Sequence, residues 1–367
     1  MAKSKIVRPD LKDTYKEWQE AQDIPLIEGF FIEDVKEVGV KPWALNEGLG
    51  ALITLDGTGG TNDAYVCEIP PGKKLKPQKH LFEEMIYVAK GNGATTVWQQ
   101  DGAPHTFEWH TGSLFAIPMN ASYQHFNGSG TEAVRLFGVT NAPFMINLFH
   151  NLDFIFDNDF SFKDRFNPAD TDYFSREGTL EGRFFLTTNF VPNTHTIELK
   201  DYKERGARSR NIKFDLAGQV MCAHISEFPV GTYKKAHKHG PGAHVIVLGG
   251  KGFSVLWPEG EEPTQVDWRP GCVVVPPMQW FHQHFNSGAE PARYLALRWN
   301  SFRYKFIRLG DNGDAGSAYT SVKDGGGQIE YEDEDPAVHR EFEALVSASG
   351  ARCTMGDVHP GCTQSSV

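Results

Sequence analysis

Three histidines fall within one short stretch, AHKHGPGAH at residues 236–244, and another, His282, follows on a separate apolar stretch. His237 and His239 are two positions apart, so both would point to the same face of a β-strand. If that face lines the inside of a barrel, His282 would reach the same space from another strand. Three converging imidazoles form a divalent-metal site that keeps open positions for substrate. The spacing therefore predicts a metal site at His237, His239 and His282.

Three side chains beside this pattern are candidates for contact with a substrate. His284 lies two positions after His282 and would share its face, which suits acid–base chemistry or the orientation of a ligand. Trp280 has the same parity and would form a wall against an aromatic substrate. In RYLALRW, residues 293–299, Arg298 would point into the barrel if the leucines pack between sheets, and there it would meet a carboxylate. Structural roles for His284 and Trp280, and a surface position for Arg298, remain alternatives.

An internal repeat places these residues in the second of two similar halves. Adding 159 to a position in the first half gives a matching residue in the second half, without any gap over some 55 positions. Such agreement predicts two copies of one domain. Matching pairs include Gly72 with Gly231, Trp109 with Trp268, QHFN at 124–127 with QHFN at 283–286, Leu136 with Leu295, and Asn141 with Asn300.

Each copy has the pattern of an all-β domain. Apolar runs such as MIYVAKG and HVIVLGG alternate with Gly-rich and Pro-rich turns at a spacing of roughly 8–12 residues, which is typical of a sandwich or β-barrel. The aromatic and charged segment between the copies is expected to wrap and pack, with some helix. The predicted organisation is an N-terminal domain at 1–144, a linker and packing segment at 145–215, a C-terminal domain at 216–309, and an extension at 310–367 with a short helix starting near Pro336.

The second copy resembles the cupin superfamily in two motifs. The first has a glycine, five residues and then H-x-H, and the second has a glycine, five residues, proline, and later histidine and asparagine. The resemblance covers both copies, so the chain looks like a bicupin with two tandem jelly-roll domains, also called double-stranded β-helices. The residues that carry it are Gly231, His237, His239, Gly250, Gly252, Gly271, Pro277, His282 and Asn286.

The cupin glutamate ligand separates the two copies. It falls at Glu84 in the first copy, whereas the second copy has Ala243 at the equivalent position. His244 is one residue further on and would face away from the metal on a regular strand. A small bulge would instead make His244 a fourth ligand, so both positions stay open.

The first copy lacks most of the metal-binding pattern. Gln78 and Tyr123 replace two of the histidines, which leaves His80 and Glu84 as the ligand types in place. Two ligands hold a metal poorly, so the first domain is predicted to be a structural half with a degenerate site. His125 could restore a site, because it lies two residues from Tyr123 and would share its face.

Within the cupins, WFHQHFN at 280–286 is similar to the WHDHGN of gentisate and salicylate dioxygenases, which are bicupins with three histidines on iron(II). The resemblance implies an Fe(II) dioxygenase that cleaves a C–C bond of a hydroxy-aromatic or enolisable acid. Those enzymes place the working metal mainly in the first copy, and an arginine of theirs is Val245 here, so substrate identity does not transfer. The alternative is a manganese- or zinc-dependent isomerase, decarboxylase or lyase that does not use O2, with nickel also possible. A seed-storage type of binding module is a weaker third reading.

The composition limits the partners. The formal charge is −11, which argues against nucleic acid or an anionic membrane surface as partner and leaves a small, anionic substrate as the expected ligand. No apolar run approaches the roughly 20 residues that span a bilayer, and the N-terminus lacks a signal-peptide core. Five scattered cysteines indicate reduced thiols and a cytoplasmic protein, and Cys353 and Cys362 are not expected to bind metal. A homo-oligomer is expected, because bicupins commonly associate.

Overall fold

The computed structural model describes residues 10–100, 102–240, 242–301, 303–304 and 317–362. Residues 1–9, which are part of the segment from which no signal peptide is predicted, lie outside this range. The predicted domain boundary at 309 also lies outside it. Four helices occur in the described part of the chain. They are α1 (Thr14–Glu20), α2 (Ala142–Phe149), α3 (Leu152–Phe156) and α4 (Pro336–Ala348), with short 3-10 turns at Lys203–Arg205, Ser317–Tyr319 and Val322–Asp324.

The first half contains a larger sheet and a three-stranded sheet. The larger sheet has the order β1-β4-β5-β11-β6-β9-β14 with β3 beside β4, and the smaller one has the order β10-β7-β8. The strands are β1 (Leu26–Gly29), β2 (Phe31–Ile32), β3 (Lys41–Trp43), β4 (Gly48–Leu55), β5 (Asp63–Ile69), β6 (Glu84–Lys90), β7 (Asn92–Trp98), β8 (His105–His110), β9 (Leu114–Ile117), β10 (Ser122–Asn127), β11 (Val134–Thr140) and β14 (Phe190–Val191).

The second half repeats this arrangement. Its larger sheet has the order β12-β13-β16-β17-β23-β18-β21-β2 with β15 beside β16, and its smaller sheet has the order β20-β19-β22. The prediction of two tandem all-β domains of the jelly-roll kind is thereby confirmed. The strands are β12 (Thr179–Glu181), β13 (Phe185–Thr188), β15 (Lys200–Asp201), β16 (Arg210–Leu216), β17 (Met221–Phe228), β18 (His244–Gly249), β19 (Gly252–Trp257), β20 (Thr264–Trp268), β21 (Val273–Val274), β22 (Phe281–Asn286) and β23 (Ala292–Trp299).

Side-chain alternation explains how the two sheets of a domain enclose a core. On β8, Phe107 and Trp109 are buried while the residues between and beside them are exposed or half-buried. Their rings contact Phe115 of the larger sheet at centroid distances of 5.1 and 6.5 Å. The tryptophan needs a glycine opposite it, because a Cβ on Gly93 would lie 2.4 Å from the Trp109 ring. Gly252 has the same relation to the equivalent tryptophan of the second domain, which explains why the repeat keeps both residues.

The repeat shifts by one residue after the QHFN stretch. Arg135 bonds Glu68 in the first domain at 2.6 Å, and Arg293 bonds Glu227 in the second at 2.9 Å. The two glutamates are 159 residues apart in the sequence, but the two arginines are 158 apart. The turn between the QHFN stretch and the arginine is therefore one residue shorter in the second domain. The predicted matches of Leu136 with Leu295 and Asn141 with Asn300 are therefore wrong by one position. The strand pairing agrees, since the partners are Leu136 with Cys67 and Tyr294 with Ser226.

Each domain borrows a strand from outside its own half. Strand β2, from the N-terminal segment, pairs with β21 of the second domain through Phe31 and Val274. Strand β14, from the segment between the copies, pairs with β9 of the first domain. One hydrophobic cluster also includes Phe137 of the first domain and Leu295 of the second. The halves are therefore interlocked, and the predicted boundaries at 144 and 215 stay predictions.

The C-terminal extension contains the predicted helix. Helix α4 begins at Pro336, and the Asp335 side chain caps it by accepting a 2.8 Å hydrogen bond from the backbone of Ala337. A proline in the first turn costs no backbone hydrogen bond, which is why the sequence signal is reliable here. Within the described part of the chain, no helix combines the length and the apolar character needed to cross a bilayer.

Candidate metal centre and its cationic cavity

The structure brings His237, His239 and His282 together. Their nearest ligand atoms all lie within 4.8 Å of one another. The ring of His282 lies 4.2 Å from that of His237 and 4.9 Å from that of His239, measured between centroids. His237 and His282 exchange two backbone hydrogen bonds of 3.0 and 2.9 Å, so the chain next to β22 holds the two rings side by side.

Backbone carbonyl groups orient two of these imidazoles. The Nδ1 atom of His237 lies 3.1 Å from the carbonyl oxygen of Lys235, and that of His282 lies 3.3 Å from the carbonyl oxygen of Trp280. Because a carbonyl oxygen can only accept, each Nδ1 must carry the proton and donate it. The Nε2 atoms then keep their lone pairs, which is the tautomer that a metal ligand requires.

Burial keeps the cluster neutral. Desolvation lowers the pKa of His282 to about 3 and outweighs the bond to the Trp280 carbonyl, which acts in the opposite direction. The pKa values of His237 and His239 are lowered as well, first by burial and then by cationic neighbours and the other imidazoles. Three neutral imidazoles are suited to bind a divalent cation, whereas protonated ones would repel it.

His244, the possible fourth ligand, does not join the cluster. Ala243 lines the cavity, and the next residue on the regular strand β18 faces the opposite side. The His244 ring lies against Phe137 of the first domain, and its Nδ1 atom is 3.1 Å from the Asn62 amide nitrogen. No bulge occurs at this point, so alternation decides the outcome. The structure thus gives His244 a place in the contact between domains and not at the metal centre.

His284 lines the same cavity, and a hydrogen bond on the far side of its ring fixes its orientation. Its Nδ1 atom lies 2.7 Å from the Ser254 hydroxyl, which also accepts a 3.0 Å hydrogen bond from the Trp268 indole. Its ring lies 5.7 Å from that of His282, measured between centroids, and burial lowers the pKa of His284 well below its usual value. The first domain has an equivalent pair of hydrogen bonds: the Trp109 indole donates to the Thr95 hydroxyl, and this hydroxyl bonds Nδ1 of His125. A residue fixed in both domains can serve packing as well as chemistry, so a catalytic role for His284 stays a proposal.

Four cationic side chains line the cavity around the histidines, and the described lining contains no aspartate or glutamate. The cations come from separate elements, namely the 3-10 turn before β16, strand β16, the segment before His237, and strand β23. Three of them are buried to more than nine-tenths, although burial of a cation is costly without a compensating charge. The positive charge of the cavity is therefore a built feature. The four residues are Arg205, Lys213, Lys234 and Arg298.

Hydroxyl groups and aromatic rings lie around the two lysines. The Lys234 ammonium donates to the hydroxyl of Ser226 and, at 2.9 Å, to the hydroxyl of Tyr294. The Lys213 ammonium lies within 6 Å of several aromatic ring centroids, including those of Phe184 and Tyr202, and burial lowers its pKa. Such contacts stabilise a cation partly and leave its field available to an anionic ligand.

Tyr319 closes part of the cavity and is the residue most affected by this charge. The Arg205 guanidinium lies 4.1 Å from the centre of its ring, and the Lys213 ammonium lies 3.5 Å from its hydroxyl. Burial raises the pKa of Tyr319, but Arg205, Lys213, a bond to Tyr202 and Arg298 together outweigh burial and bring the pKa down to about 7. A hydrogen bond of 2.6 Å from Arg205 to the carbonyl of Ala318 fixes this segment over the cavity.

The two predicted substrate contacts have different positions. Arg298 lines the cavity, as the alternation of strand β23 requires. Trp280 is not among the residues that line it; its half-buried ring lies 5.9 Å from that of Phe30 and packs against a neighbouring cluster of buried side chains. The turn before β22 breaks the strand alternation, as the positive φ of Gln279 indicates, so strand parity does not extend to Trp280.

The equivalent pocket of the first domain holds a hydrogen-bonded network in place of a metal cluster. The His80 Nε2 atom is 3.1 Å from the Tyr123 hydroxyl and 3.5 Å from a Glu84 oxygen, while Tyr65 donates to the other Glu84 oxygen at 2.6 Å. Burial raises the pKa of Glu84, but His80 and Tyr65 outweigh it and hold this pKa below its usual value. Gln78 donates to the Leu45 carbonyl. Among the described residues, no group of three metal-binding side chains forms here.

The sequence did not single out four lining residues. Arg205, Lys213 and Tyr319 lie outside the cupin motifs and reach the cavity through long-range packing. Lys234 is three positions before His237, so strict alternation would place it on the other face, but residues 233–239 form only isolated bridges and no regular strand. The run of basic residues in YKKAHKH was the one available signal.

Comparisons with known proteins show similarity only to solved structures. No protein-family model matches the chain, and no curated protein matches it. A tryptophan-to-tyrosine variant of oxalate decarboxylase from Bacillus subtilis gives a TM-score of 0.49 at 12% identity, over 75% of this chain and 78% of that one. A tryptophan-to-phenylalanine variant gives 0.48 at 13% identity, over 82% of this chain and 87% of that one. The fold and the site described here rest on the strand pairing and side-chain geometry of this chain.

Proposed function

We propose that this chain is a divalent-metal enzyme of the cupin type whose second domain acts on a small organic acid with more than one negatively charged oxygen. One observation carries this proposal. Three neutral histidines with converging ligand atoms open into a cavity that has four cationic side chains and no acidic residue in its described lining. A neutral or cationic substrate would gain nothing from this arrangement, whereas a dianion would be attracted strongly.

His237, His239 and His282 would hold the metal. When bound, a divalent ion would act as a Lewis acid that polarises a carboxylate or carbonyl oxygen of the substrate. Histidine is a ligand for manganese, iron, nickel and zinc alike, so the donor set does not select one of them. The small side chain of Ala243 stands where the cupin glutamate would bind, which leaves room for an anionic substrate.

The other cavity residues would bind the substrate and move protons. Arg298 and Lys213 are placed to bind a carboxylate, since both line the cavity with charged heads. Tyr319 is suited to donate or accept a proton near neutral pH, because the neighbouring cations stabilise its phenolate. His284 would hold a proton at Nε2 on the cavity side while the Ser254 hydroxyl bonds its Nδ1.

The favoured reaction class is one that needs no O2: a metal-dependent isomerisation, decarboxylation or lyase reaction, with manganese or zinc. The cavity offers positive charge and proton-transfer groups, and Trp280, the expected wall for an aromatic ring, lies elsewhere. The second candidate function is an Fe(II) dioxygenase activity like that of the gentisate and salicylate enzymes. It remains a candidate because three neutral ligands leave positions on the metal for both substrate and O2. A homo-oligomeric state and a cytoplasmic location also stay predictions.

The deciding experiment compares turnover with and without O2. Metal-free protein is reloaded separately with manganese, zinc and iron(II), and assayed on small dicarboxylic, 2-oxo and hydroxy-aromatic acids. We expect turnover of an aliphatic dianion to persist under strict anaerobiosis. His239→Ala should abolish it, whereas the matched first-domain change His80→Ala should leave it measurable. Turnover that stops without O2 and consumes O2 in its presence would establish the dioxygenase instead.

A further inference from the structure

A second group of metal-binding side chains lies in the C-terminal segment, outside the cationic cavity. His339 and Glu343 lie one turn apart on helix α4, Cys353 follows the helix, and Cys362 lies near the end of the described chain. One ligand atom from each residue lies within 4.8 Å of the others. Residues separated by up to 23 positions therefore converge on a single point.

The spacing of these atoms fits a tetrahedral zinc ion. Zinc–sulfur bonds of about 2.3 Å and zinc–nitrogen bonds of about 2.0–2.1 Å require ligand-to-ligand distances of about 3.3–3.8 Å. His339 Nε2 lies 3.4 Å from Glu343 Oε1 and 3.9 Å from Cys353 Sγ. The two sulfur atoms are 3.3 Å apart, far beyond the S–S bond of about 2.05 Å in a disulfide. Two sulfur atoms on one tetrahedral zinc ion would lie about 3.8 Å apart, so these two would have to separate by about 0.5 Å to bind it.

The surrounding bonds aim His339 at the cluster. The Tyr233 hydroxyl donates its proton to Glu334, so it must accept the 3.1 Å hydrogen bond from Nδ1 of His339. Nε2 then keeps its lone pair and faces the two sulfur atoms. Glu343 supplies an independent observation, since its buried Oε1 atom makes no hydrogen bond. A buried carboxylate oxygen without a donor is costly unless a cation binds it.

His359 is nearby but is already engaged. Its Nδ1 atom accepts a 3.0 Å hydrogen bond from the backbone of Gly361, so its Nε2 atom donates to Glu334 at 3.0 Å. Its ring stacks on that of His339 with centroids 3.8 Å apart. His359 therefore supports the orientation of His339 and is not available as a ligand.

We propose that His339, Glu343, Cys353 and Cys362 bind one zinc ion in a closed tetrahedral site. Two thiolates and an imidazole favour zinc over harder cations, and four protein ligands leave no position for a substrate. The site therefore has a structural role. The sequence alone predicts no metal at these two cysteines, because they lie in a Gly- and Ser-containing tail; the structure leads to the opposite proposal.

The zinc ion would fasten the C-terminal segment to residues 231–237, the extended segment that leads to the cavity. The backbone of Thr354 donates to Gly231 at 2.9 Å, and the Tyr331 hydroxyl donates to the carbonyl of Tyr233 at 2.6 Å. The backbone of Ile329 donates to Ala236, next to the cavity ligand His237. A metal that fixes helix α4 and the loop after it would thus also stabilise the backbone that carries His237.

Metal analysis of the full-length protein tests the proposal. Cys353→Ser and Cys362→Ser should each lose about one zinc per chain and keep the metal of the cavity, because a serine hydroxyl binds zinc far more weakly than a thiolate. Cys272→Ser is the matched control, since Cys272 is buried and donates to the Glu33 carbonyl, a bond that serine can keep. It should lose no metal. Unchanged zinc content in both cysteine variants would overturn the proposal.

Cobalt substitution gives a second test. It leaves both cysteines in place, so its result does not depend on whether the cysteine variants fold. His237→Ala combined with His239→Ala removes the cavity metal, and the protein is then reloaded with cobalt(II) under reducing conditions. We expect about one bound cobalt per chain with an intense near-ultraviolet thiolate-to-metal band, which three histidines cannot produce. Absence of that band, or a disulfide between Cys353 and Cys362 in protein isolated with reductant, would refute the site.

Discussion

Tyr319 offers a direct measurement of the positive charge in the cavity. A fall of its pKa from the ordinary value of 10.0 to about 7 corresponds to about 4 kcal/mol of preference for the phenolate. The phenolate absorbs in the near ultraviolet where the neutral phenol does not, so a pH titration of metal-free protein should show ionisation of one tyrosine with a midpoint near 7. Tyr319→Phe should remove that step and leave the other tyrosines unchanged.

Lys213→Met supplies the perturbation. Its ammonium lies 3.5 Å from the Tyr319 hydroxyl. At that distance the attraction is about 5 kcal/mol for an effective dielectric constant of about 20, and about 1 kcal/mol in bulk water. The cavity opens to solvent, so we expect an intermediate effect, which raises the titration midpoint of Tyr319 by roughly one to three pH units. Lys200→Met, at a half-buried lysine on the neighbouring strand that pairs with Glu198, is the control and should not move the midpoint.

The sign of the effect on stability follows from the same shift. The folded-state pKa of Tyr319 lies below its unfolded value, so ionisation adds stability as the pH rises above about 7. That contribution is lost as the pH falls through about 7, and it should be missing from the pH profile of the free energy of unfolding of Tyr319→Phe. A Tyr319 titration midpoint above pH 9 in the wild-type protein, or a midpoint that does not change in Lys213→Met, would refute the idea of a cationic cavity.

Further predictions concern single residues of the second domain. His239→Ala should abolish both metal binding in the cavity and turnover, measured by metal analysis and a rate assay. His284→Gln should lower turnover by roughly 10²–10⁴-fold with metal occupancy unchanged, and loss of metal would make His284 a ligand. Ala243→Glu should keep the metal but weaken binding of an anionic substrate by at least about tenfold, by calorimetry. His244→Ala should lower the free energy of unfolding by about 2–4 kcal/mol, because it leaves a cavity and removes the hydrogen bond of the Asn62 amide nitrogen, while the metal content stays normal.

The parts of the site that the sequence predicted are those with a local pattern. His237, His239 and His282 occupy motif positions. Backbone hydrogen bonds between the two segments that carry them are sufficient to bring the three rings together. Ala243 and His244 were decided by side-chain alternation, which the sequence could state only as two alternatives. Alternation does not extend to Trp280, because Gln279 before it has a positive φ, and a substrate contact at Trp280 stays a prediction.

The remaining parts depend on long-range packing that no local pattern encodes. Arg205 and Tyr319 are more than a hundred residues apart, and they meet only because the C-terminal extension folds back over the second domain. The shift of the repeat after Asn127 also escaped the sequence, because leucines at 136 and 295 match by chance at the old offset. The equivalent ion pairs of Arg135 and Arg293, together with the strand pairing, reveal the true register.

The exchanged strand β2 has a consequence for the order of events on the ribosome. Phe31 pairs with Val274, which is synthesised about 240 residues later. At roughly 5–20 residues per second, the nascent chain must wait roughly 10–50 s before this strand finds its partner. A fragment that begins after Ile32 would present the uncovered edge of β21, and an exposed edge strand accepts a strand from another molecule. Such a fragment should therefore form swapped or aggregated species in place of an independent second domain.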